Sequence, residues 1–120
     1  MKRVLAFLLF CIVLASCSNE REQEVIQKNI HGFYKSLNNR DFESLKGYMS
    51  PQIQQKIAYF KSLNNDLVIY KSYKVKNVVI NGNTAVVDVE CVDEFGNKFV
   101  CNWTLVKING EWKISEYGIV

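Results

Sequence analysis

The spacing of apolar residues changes once along the chain, and the change divides the predicted fold into a helical part and a sheet. Between residues 22 and 37, apolar side chains recur every three or four positions. This spacing places them on one face of an amphipathic helix. The predicted apolar face consists of Ile26, Ile30, Phe33 and Leu37, widened by Val25 and Tyr34.

Two further helices are predicted before residue 66. Asn38-Asn39 ends the first helix, and Asp41 is expected to be the N-cap of a short second helix. Ser50 is expected to cap a third helix, with Pro51 in its first turn, where the missing N–H costs no hydrogen bond. The side chains that would turn this helix towards the same core are Ile53, Ile57 and Phe60.

Beyond residue 66, apolar and polar residues alternate, as is typical of strands with one buried face. The steps Asn81-Gly82, Gly96-Asn97 and Asn109-Gly110 are turn signals that divide this region into four strands. We therefore expect an α+β fold, in which N-terminal helices pack on a curved four-stranded antiparallel meander.

Matching the inner faces of neighbouring strands predicts the register of each hairpin. In the first hairpin, opposite charges support the register, because Lys76 would face Asp88 and Lys74 would face Glu90. The expected inner-face pairs are Val79 with Ala85, Val75 with Val89, Tyr73 with Cys91, Cys91 with Cys101, Val89 with Trp103, Leu105 with Ile114, and Lys107 with Trp112.

The first residues have the features of an export signal. Lys2 and Arg3 precede an apolar run over residues 4–15, which is shorter than the roughly 20 residues of a membrane-spanning helix. The run ends in Leu-Ala-Ser-Cys, residues 14–17, which resembles the lipobox of bacterial lipoproteins. The resemblance implies that residues 1–16 are removed and that Cys17 carries the lipid. Residues 17–23 would then be a polar tether and residues 24–120 the folded domain.

The same resemblance predicts a location in the bacterial cell envelope, attached to the membrane by the lipid on Cys17. Ser18 is not the aspartate that often retains lipoproteins at the inner membrane of Gram-negative cells, so the outer membrane is expected. Loss of Lys2 and Arg3 with the leader would leave nearly equal numbers of basic and acidic side chains. This charge balance gives no reason to propose a nucleic acid partner.

Two stretches of the mature chain resemble the nuclear transport factor 2-like superfamily, whose domains have a cystatin-like α+β cone. They are FYKSLNNRDFESLKGYMSP, residues 33–51, and WTLVKINGEWKISEY, residues 103–117. Arg40 stands where relatives often have glycine before the aspartate. The resemblance implies a cone with an apolar mouth, which some members use as an enzyme pocket and others as a binding site or dimer surface.

The sequence therefore leaves two functions open. The leading hypothesis is a non-catalytic module that binds a small apolar ligand or a protein partner, and that needs no cofactor. The alternative is an isomerase or dehydratase that uses Asp93 or His31 with a tyrosine such as Tyr34, Tyr48 or Tyr73. The aromatic residues expected on the inner face, which either line a pocket or fill the core, are Tyr34, Tyr73, Phe99, Trp103 and Trp112.

Cys91 and Cys101 are interpreted either as a cross-strand disulfide or as two buried free thiols. With a single histidine in the chain, they do not form a convincing metal site. A second surface is predicted on the outer face of the sheet, where an apolar patch would mark a dimer or partner interface unless another segment covers it. The predicted patch consists of Val78, Ile80, Val86, Val106 and Ile108.

Overall fold

The computed structural model describes the backbone of residues 2–63 and 66–119 and the side chains of residues 19–63 and 66–116. The order of elements confirms the predicted α+β fold, and the four strands form one antiparallel sheet in sequential order. The elements are α1 Lys2–Asn38, α2 Phe42–Lys46, a 3₁₀ turn Pro51–Ile53, α3 Lys56–Leu63, β1 Tyr70–Asn81, β2 Thr84–Asp93, β3 Lys98–Ile108 and β4 Glu111–Ile119.

Helix α1 packs its apolar stripe against the concave face of the sheet. Ile26, Ile30 and Leu37 are buried as predicted, whereas Val25 is 52% exposed and does not widen the stripe. The predicted tether, residues 17–23, is helical and continuous with α1. The side chain of Cys17 lies outside the described residues. Within the part of the chain that the structure describes, no helix is both long and apolar enough to span a membrane.

Two hydrogen bonds connect the end of α1, at Asn38, to the start of the sheet. The Asn38 amide donates to the carbonyl of Tyr70 (3.0 Å) and accepts from its N–H (2.9 Å). Arg40 then adopts φ 57°, in the left-handed region that glycine prefers. Its guanidinium donates to the carbonyls of Leu37 (2.9 Å) and Leu67 (2.6 Å). Arginine at this position therefore connects α1 to the segment that follows α3, a bond that glycine could not make.

The short helices differ in how their first turns are capped. Asp41 caps α2 as predicted, because its carboxylate accepts from the N–H of Ser44 (3.2 Å). Ser50 stands at the N-cap of the 3₁₀ turn with Pro51 in the first turn, as predicted, but the side-chain cap is wrong, since its hydroxyl is buried and has no hydrogen-bond partner. The reason is that the Ser50 N–H donates to the carbonyl of Ile114 in β4 (2.8 Å), which draws this residue into the core.

The register of the first hairpin agrees with the prediction up to a bulge. Val75 faces Val89 and Tyr73 faces Cys91, as expected. A register shift between Val75 and Asn77 then adds one residue to β1. The predicted pairs of Val79 with Ala85 and Lys76 with Asp88 are therefore wrong. The pairs observed beyond the shift are Asn77 with Asp88, Val78 with Val87, Val79 with Val86, and Ile80 with Ala85.

The second hairpin is shifted by two residues from the prediction. The third matches it near its turn and departs from it beyond a register shift between Thr104 and Leu105. Leu105 faces Ile114, and Lys107 faces Trp112, as expected. The pairs of Cys91 with Cys101 and Val89 with Trp103 are wrong, because the turn is centred on Phe95, one residue before the expected Gly96. The Asp93 N–H donates to the Asn97 carbonyl (3.0 Å) and closes the turn there. The observed inner-face pairs are Cys91 with Phe99, Val89 with Cys101, and Val87 with Trp103.

Candidate functional site

A cavity of about 280 Å³ lies at one end of the concave face of the sheet. We call this the open end of the domain. Helix α1 contributes Phe33, Tyr34 and Leu37 to its lining. The sheet contributes Tyr70, Phe99, Cys101 and Trp103, and the wall between them consists of Tyr59, Phe60, Leu63, Leu67 and Val68.

This wall was missed from the sequence, although Phe60 was assigned to the core. In α3, all of whose residues are described, only Ile57 is buried. Tyr59, Phe60 and Leu63 of this helix border the cavity instead of filling it. Tyr59 and Phe60 beside the apolar residues Leu67 and Val68 were the sequence signal for this wall.

Tyr34 is a buried residue of the cavity lining, and its hydroxyl has two hydrogen-bonding neighbours. Its ring stacks on Tyr73, with centroids 5.0 Å apart and planes at 14°, and meets the ring of Tyr70 edge-on at 4.9 Å. The indole N–H of Trp103 donates to the Tyr34 hydroxyl oxygen (2.9 Å), and the Cys91 thiol contacts the same oxygen (3.3 Å). Burial raises the pKa of Tyr34, so this phenol is a neutral hydrogen-bond donor.

Cys91 and Cys101 are both buried free thiols. They occupy diagonal positions on β2 and β3. Diagonal neighbours lie about 7–8 Å apart, further than the about 4.4–6.8 Å between the Cα atoms of a disulfide. The observed register therefore removes the geometric argument for a disulfide. A hydrogen bond between the two side chains raises the pKa of Cys91 and lowers the pKa of Cys101 to about 7, which makes the cavity-lining Cys101 the more acidic thiol.

Trp112 lies at the opposite end, which we call the closed end, beside the β3–β4 turn. Its carbonyl accepts a hydrogen bond from the Asn29 amide. The Lys107 ammonium lies 5.8 Å from the centre of its indole ring and also pairs with Glu22. Of the five aromatic residues considered for a pocket, the structure thus places Tyr34, Phe99 and Trp103 in the cavity lining. Tyr73 lies behind Tyr34, and Trp112 is remote.

The two candidate acid-base residues do not line the cavity. His31 is exposed and packs against Tyr73 with ring centroids 5.2 Å apart. Asp93 is buried and accepts from the N–H groups of Phe95 and Asn97 (both 2.9 Å) and from the Asn97 amide (3.0 Å). Burial by itself would raise the pKa of Asp93, but these hydrogen bonds outweigh it and lower the pKa. Asp93 therefore caps the β2–β3 turn.

The outer face of the sheet differs from the predicted patch. Val78 and Ile80 pack against the core, because the bulge in β1 turns them inwards. Val79 takes their place on the outer face and is 55% exposed, beside the exposed Val86. Val106 and Ile108 are half-buried on β3. Among the described residues, no group of three or more His, Cys, Asp or Glu side chains is placed to hold a metal ion.

Comparisons with known proteins agree with this architecture. A family model described as "Putative lumazine-binding" matches residues 62–116. An NTF2-like protein from Silicibacter pomeroyi has a TM-score of 0.63 at 16% identity, over 85% of this chain and 98% of that chain. An NTF2-like protein from Shewanella baltica has a TM-score of 0.62 at 17% identity, over 83% and 94%. A protein with a cystatin-like fold from Nostoc punctiforme has a TM-score of 0.60 at 17% identity, over 81% and 88%.

The chain therefore has the NTF2-like, or cystatin-like, α+β fold. Its sheet half is similar to the lumazine-binding family model, which extends from the end of α3 into β4. A comparison with curated proteins found no match. The fold is consistent with ligand binding or with a small enzyme.

Proposed function

We propose that this protein is a non-catalytic, lipid-anchored module of the bacterial cell envelope that binds a small, flat and mainly apolar ligand. The observation that carries the proposal is the aromatic-lined cavity of about 280 Å³ at the open end. This volume is near the lower end of the about 300–1,000 Å³ typical of ligand sites, and a few polar groups in an apolar lining are a common arrangement in them. A bicyclic ring system fits this description.

The similarity to a lumazine-binding family supports a planar heterocycle as the ligand class. The matched residues 62–116 include Phe99, Cys101 and Trp103, which form the sheet side of the cavity. The acid-base alternative has less support. His31 is exposed and Asp93 caps a turn, so neither side chain is presented to a molecule in the cavity.

The anchor is supported by the sequence Leu-Ala-Ser-Cys at residues 14–17, behind a basic start and an apolar run. Several acyl chains on Cys17 would hold the protein stably, whereas a single chain binds a bilayer only marginally. The absence of aspartate at position 18 supports the outer membrane as the location.

Ligand binding is tested by titrating the purified protein with lumazine and with indane, a plain bicyclic hydrocarbon, by calorimetry. We expect saturable binding of at least one ring system with one site per chain. Tryptophan emission then locates the site. In the Trp112→Phe variant the remaining Trp103 lines the cavity and should respond to lumazine, whereas in Trp103→Phe the remaining Trp112 should not. Failure of both ring systems to bind would contradict the proposed cavity function.

The anchor is tested by replacing Cys17 with serine and separating the membranes of the host cell on a density gradient. The Cys17→Ser protein should leave the membrane fraction and lose incorporation of labelled palmitate. Cys11→Ser, which changes the cysteine inside the leader, is the matched control and should remain in the outer membrane fraction. Attachment of the Cys17→Ser protein to membranes would overturn the lipoprotein assignment.

A further inference from the structure

Helix α1 connects the two ends of the domain. Near its packed start, Glu22 pairs with Lys107 beside the indole ring of Trp112, at the closed end. At its last residue, Asn38 is bonded to Tyr70, which lines the cavity at the open end. A helix rises 1.5 Å per residue, so these two attachments lie about 24 Å apart along the axis. The packed part of α1 therefore separates the cavity from the start of the domain by this length.

Only a short segment separates the closed end from Cys17, the proposed site of the lipid. The backbone of α1 is helical and continuous from Cys17 to Glu22, a rise of about 8 Å. Even in a fully extended conformation, this segment would span no more than about 18 Å. This reach is shorter than the packed length of α1, so the domain cannot invert and present its open end to the bilayer. The closed end therefore stays near the lipid.

The exposed side of α1 does not favour a domain that lies flat on the membrane. A helix that lies in the interface buries an apolar face among the lipid headgroups. The apolar face of α1 is packed against the sheet, and among the described side chains of the helix Val25 is the one large apolar group that is exposed. Its exposed neighbours include Arg21, Glu24 and Lys28. Tipping onto this side would remove water from these charges, which is costly.

The open end has the opposite surface character. Three large apolar side chains are exposed there. Tyr59, 60% exposed, borders the cavity. Ile69 lies between the lining residues Val68 and Tyr70, and Phe95, 77% exposed, lies in the β2–β3 turn. Because α1 holds this end away from the bilayer, these side chains face the aqueous compartment around the mouth of the cavity.

We infer that the lipidated protein stands with its closed end towards the bilayer and the mouth of its cavity towards the aqueous compartment, so that the cavity takes up its ligand from water and not from the membrane. The inference rests on the proposed function, because it requires the lipid on Cys17. It adds the surface that faces the bilayer and the side from which the ligand enters.

The orientation is tested by energy transfer from single tryptophans to dansyl-labelled headgroups in phosphatidylcholine vesicles, because transfer falls with the sixth power of distance. Lipidated Trp103→Phe keeps Trp112, which lies beside Glu22, and should lose most of its emission to the acceptor. Lipidated Trp112→Phe keeps Trp103, whose ring centre lies 5.1 Å from that of Phe33 at the cavity, and should lose little. Equal transfer from the two tryptophans, or stronger transfer from Trp103, would overturn the inference.

A flexible insertion tests whether the short segment causes this orientation. A Gly-Ser segment of about ten residues between Glu20 and Arg21 behaves as a flexible coil and leaves the residues that contact the sheet unchanged. With this insertion, transfer from Trp112 and from Trp103 should become similar. A difference as large as that without the insertion would contradict the role given to α1.

A second measurement does not depend on the stability of a variant. Oxidation of Tyr59 and Phe95 by hydroxyl radicals, measured by mass spectrometry, should be equal in wild-type protein on vesicles and in detergent. Protection of both side chains on vesicles would show that the mouth meets the bilayer and would overturn the inference. If the wild-type protein carries no lipid and does not bind vesicles, the lipoprotein proposal is contradicted, and the inference with it. The titration with indane tests the cavity separately.

Discussion

The open and closed ends of the domain each bury one tryptophan on the inner face of the sheet, but the two tryptophans differ in what they border. Trp103 is 5% exposed and borders a cavity, whereas Trp112 is 4% exposed and lies outside that cavity. Trp112 instead borders a smaller groove of about 120 Å³. Burial of an aromatic side chain therefore does not distinguish the wall of a ligand-sized cavity from a side chain packed under a helix. The element that covers the side chain makes the difference.

At the closed end, α1 itself covers the sheet. Asn29 donates to the carbonyl of Trp112, and Glu22 pairs with Lys107 above the indole ring. At the open end, α1 still contributes apolar side chains, but the opposite wall comes from α3, in which only Ile57 is buried. The cavity is the space that this loosely inserted helix leaves.

The largest expected effect comes from truncating the tryptophan of the closed end. Trp112→Ala should lower the free energy of unfolding by about 3–5 kcal/mol, because it creates a void under a helix that cannot collapse into it. Trp103→Ala should cost less, since its ring already borders empty space, but it should weaken ligand binding. Urea unfolding and calorimetric titration of both variants measure the two quantities. Equal stability losses with equal losses of affinity would remove the distinction between the ends.

A smaller effect is expected where α1 meets the residues after α2, between the two ends. A Cβ atom on Gly32 would overlap the Tyr48 hydroxyl and lie 2.5 Å from its ring, so the tyrosine would have to move. Gly32→Ala should therefore destabilise the protein by about 1–2 kcal/mol in urea unfolding. Gly47→Ala is the control, because its Cβ would meet only the Ser44 carbonyl, at 3.4 Å. If both variants were equally stable, close packing at Gly32 would be disproved.

Local signals predicted the elements of both ends but not the register between strands. The stripe of α1, the cap at Asp41 and the turn at Asn109-Gly110 depend on residues close in sequence, and the structure confirms them. The alternation of apolar and polar residues cannot reveal the two-residue shift of the second hairpin, because Cys91 and Cys101 lie on the inner face in both registers. The sequence gives no sign of the bulge in β1 either. Val78, Val79 and Ile80 are all β-branched, so a shift of one residue puts the same type of side chain on each face.

The candidate site could be predicted only in part for a related reason. Tyr34, Phe99 and Trp103 follow from apolar periodicity, which identifies the inward faces of α1 and β3. Periodicity does not report whether the space between two inward faces is filled. That depends on how deeply α3 inserts, and the segments on either side of α3 are held by the hydrogen bonds from Ser50 to Ile114 and from Arg40 to Leu67. Both join residues far apart in sequence.

At the open end, the Asp93 cap should make stability depend on pH. The pKa of Asp93 is lowered in the folded protein, so its contribution is fully present above the unfolded value of about 4 and is lost as pH falls through the folded value. Asp93→Asn should therefore lower the urea midpoint most at neutral pH and least in acid. Glu94→Gln, an exposed neighbour, should lower it at neither pH. A deficit in Asp93→Asn that does not shrink in acid would contradict the carboxylate cap.

The smallest effect is expected from the ion pair that fastens α1 over the closed end. The side chains of Lys107 and Glu22 are 31% and 28% exposed, so solvent screens their attraction in part. A double-mutant cycle of Lys107→Met and Glu22→Gln should give a coupling free energy of about 0.5–1 kcal/mol, which decreases as salt is added. The more exposed pair of Lys46 and Glu43, at 50% and 76%, is the matched control and should couple more weakly. Equal coupling in the two pairs, or a value for Lys107 and Glu22 that salt leaves unchanged, would show that this ion pair does not hold α1 over the closed end.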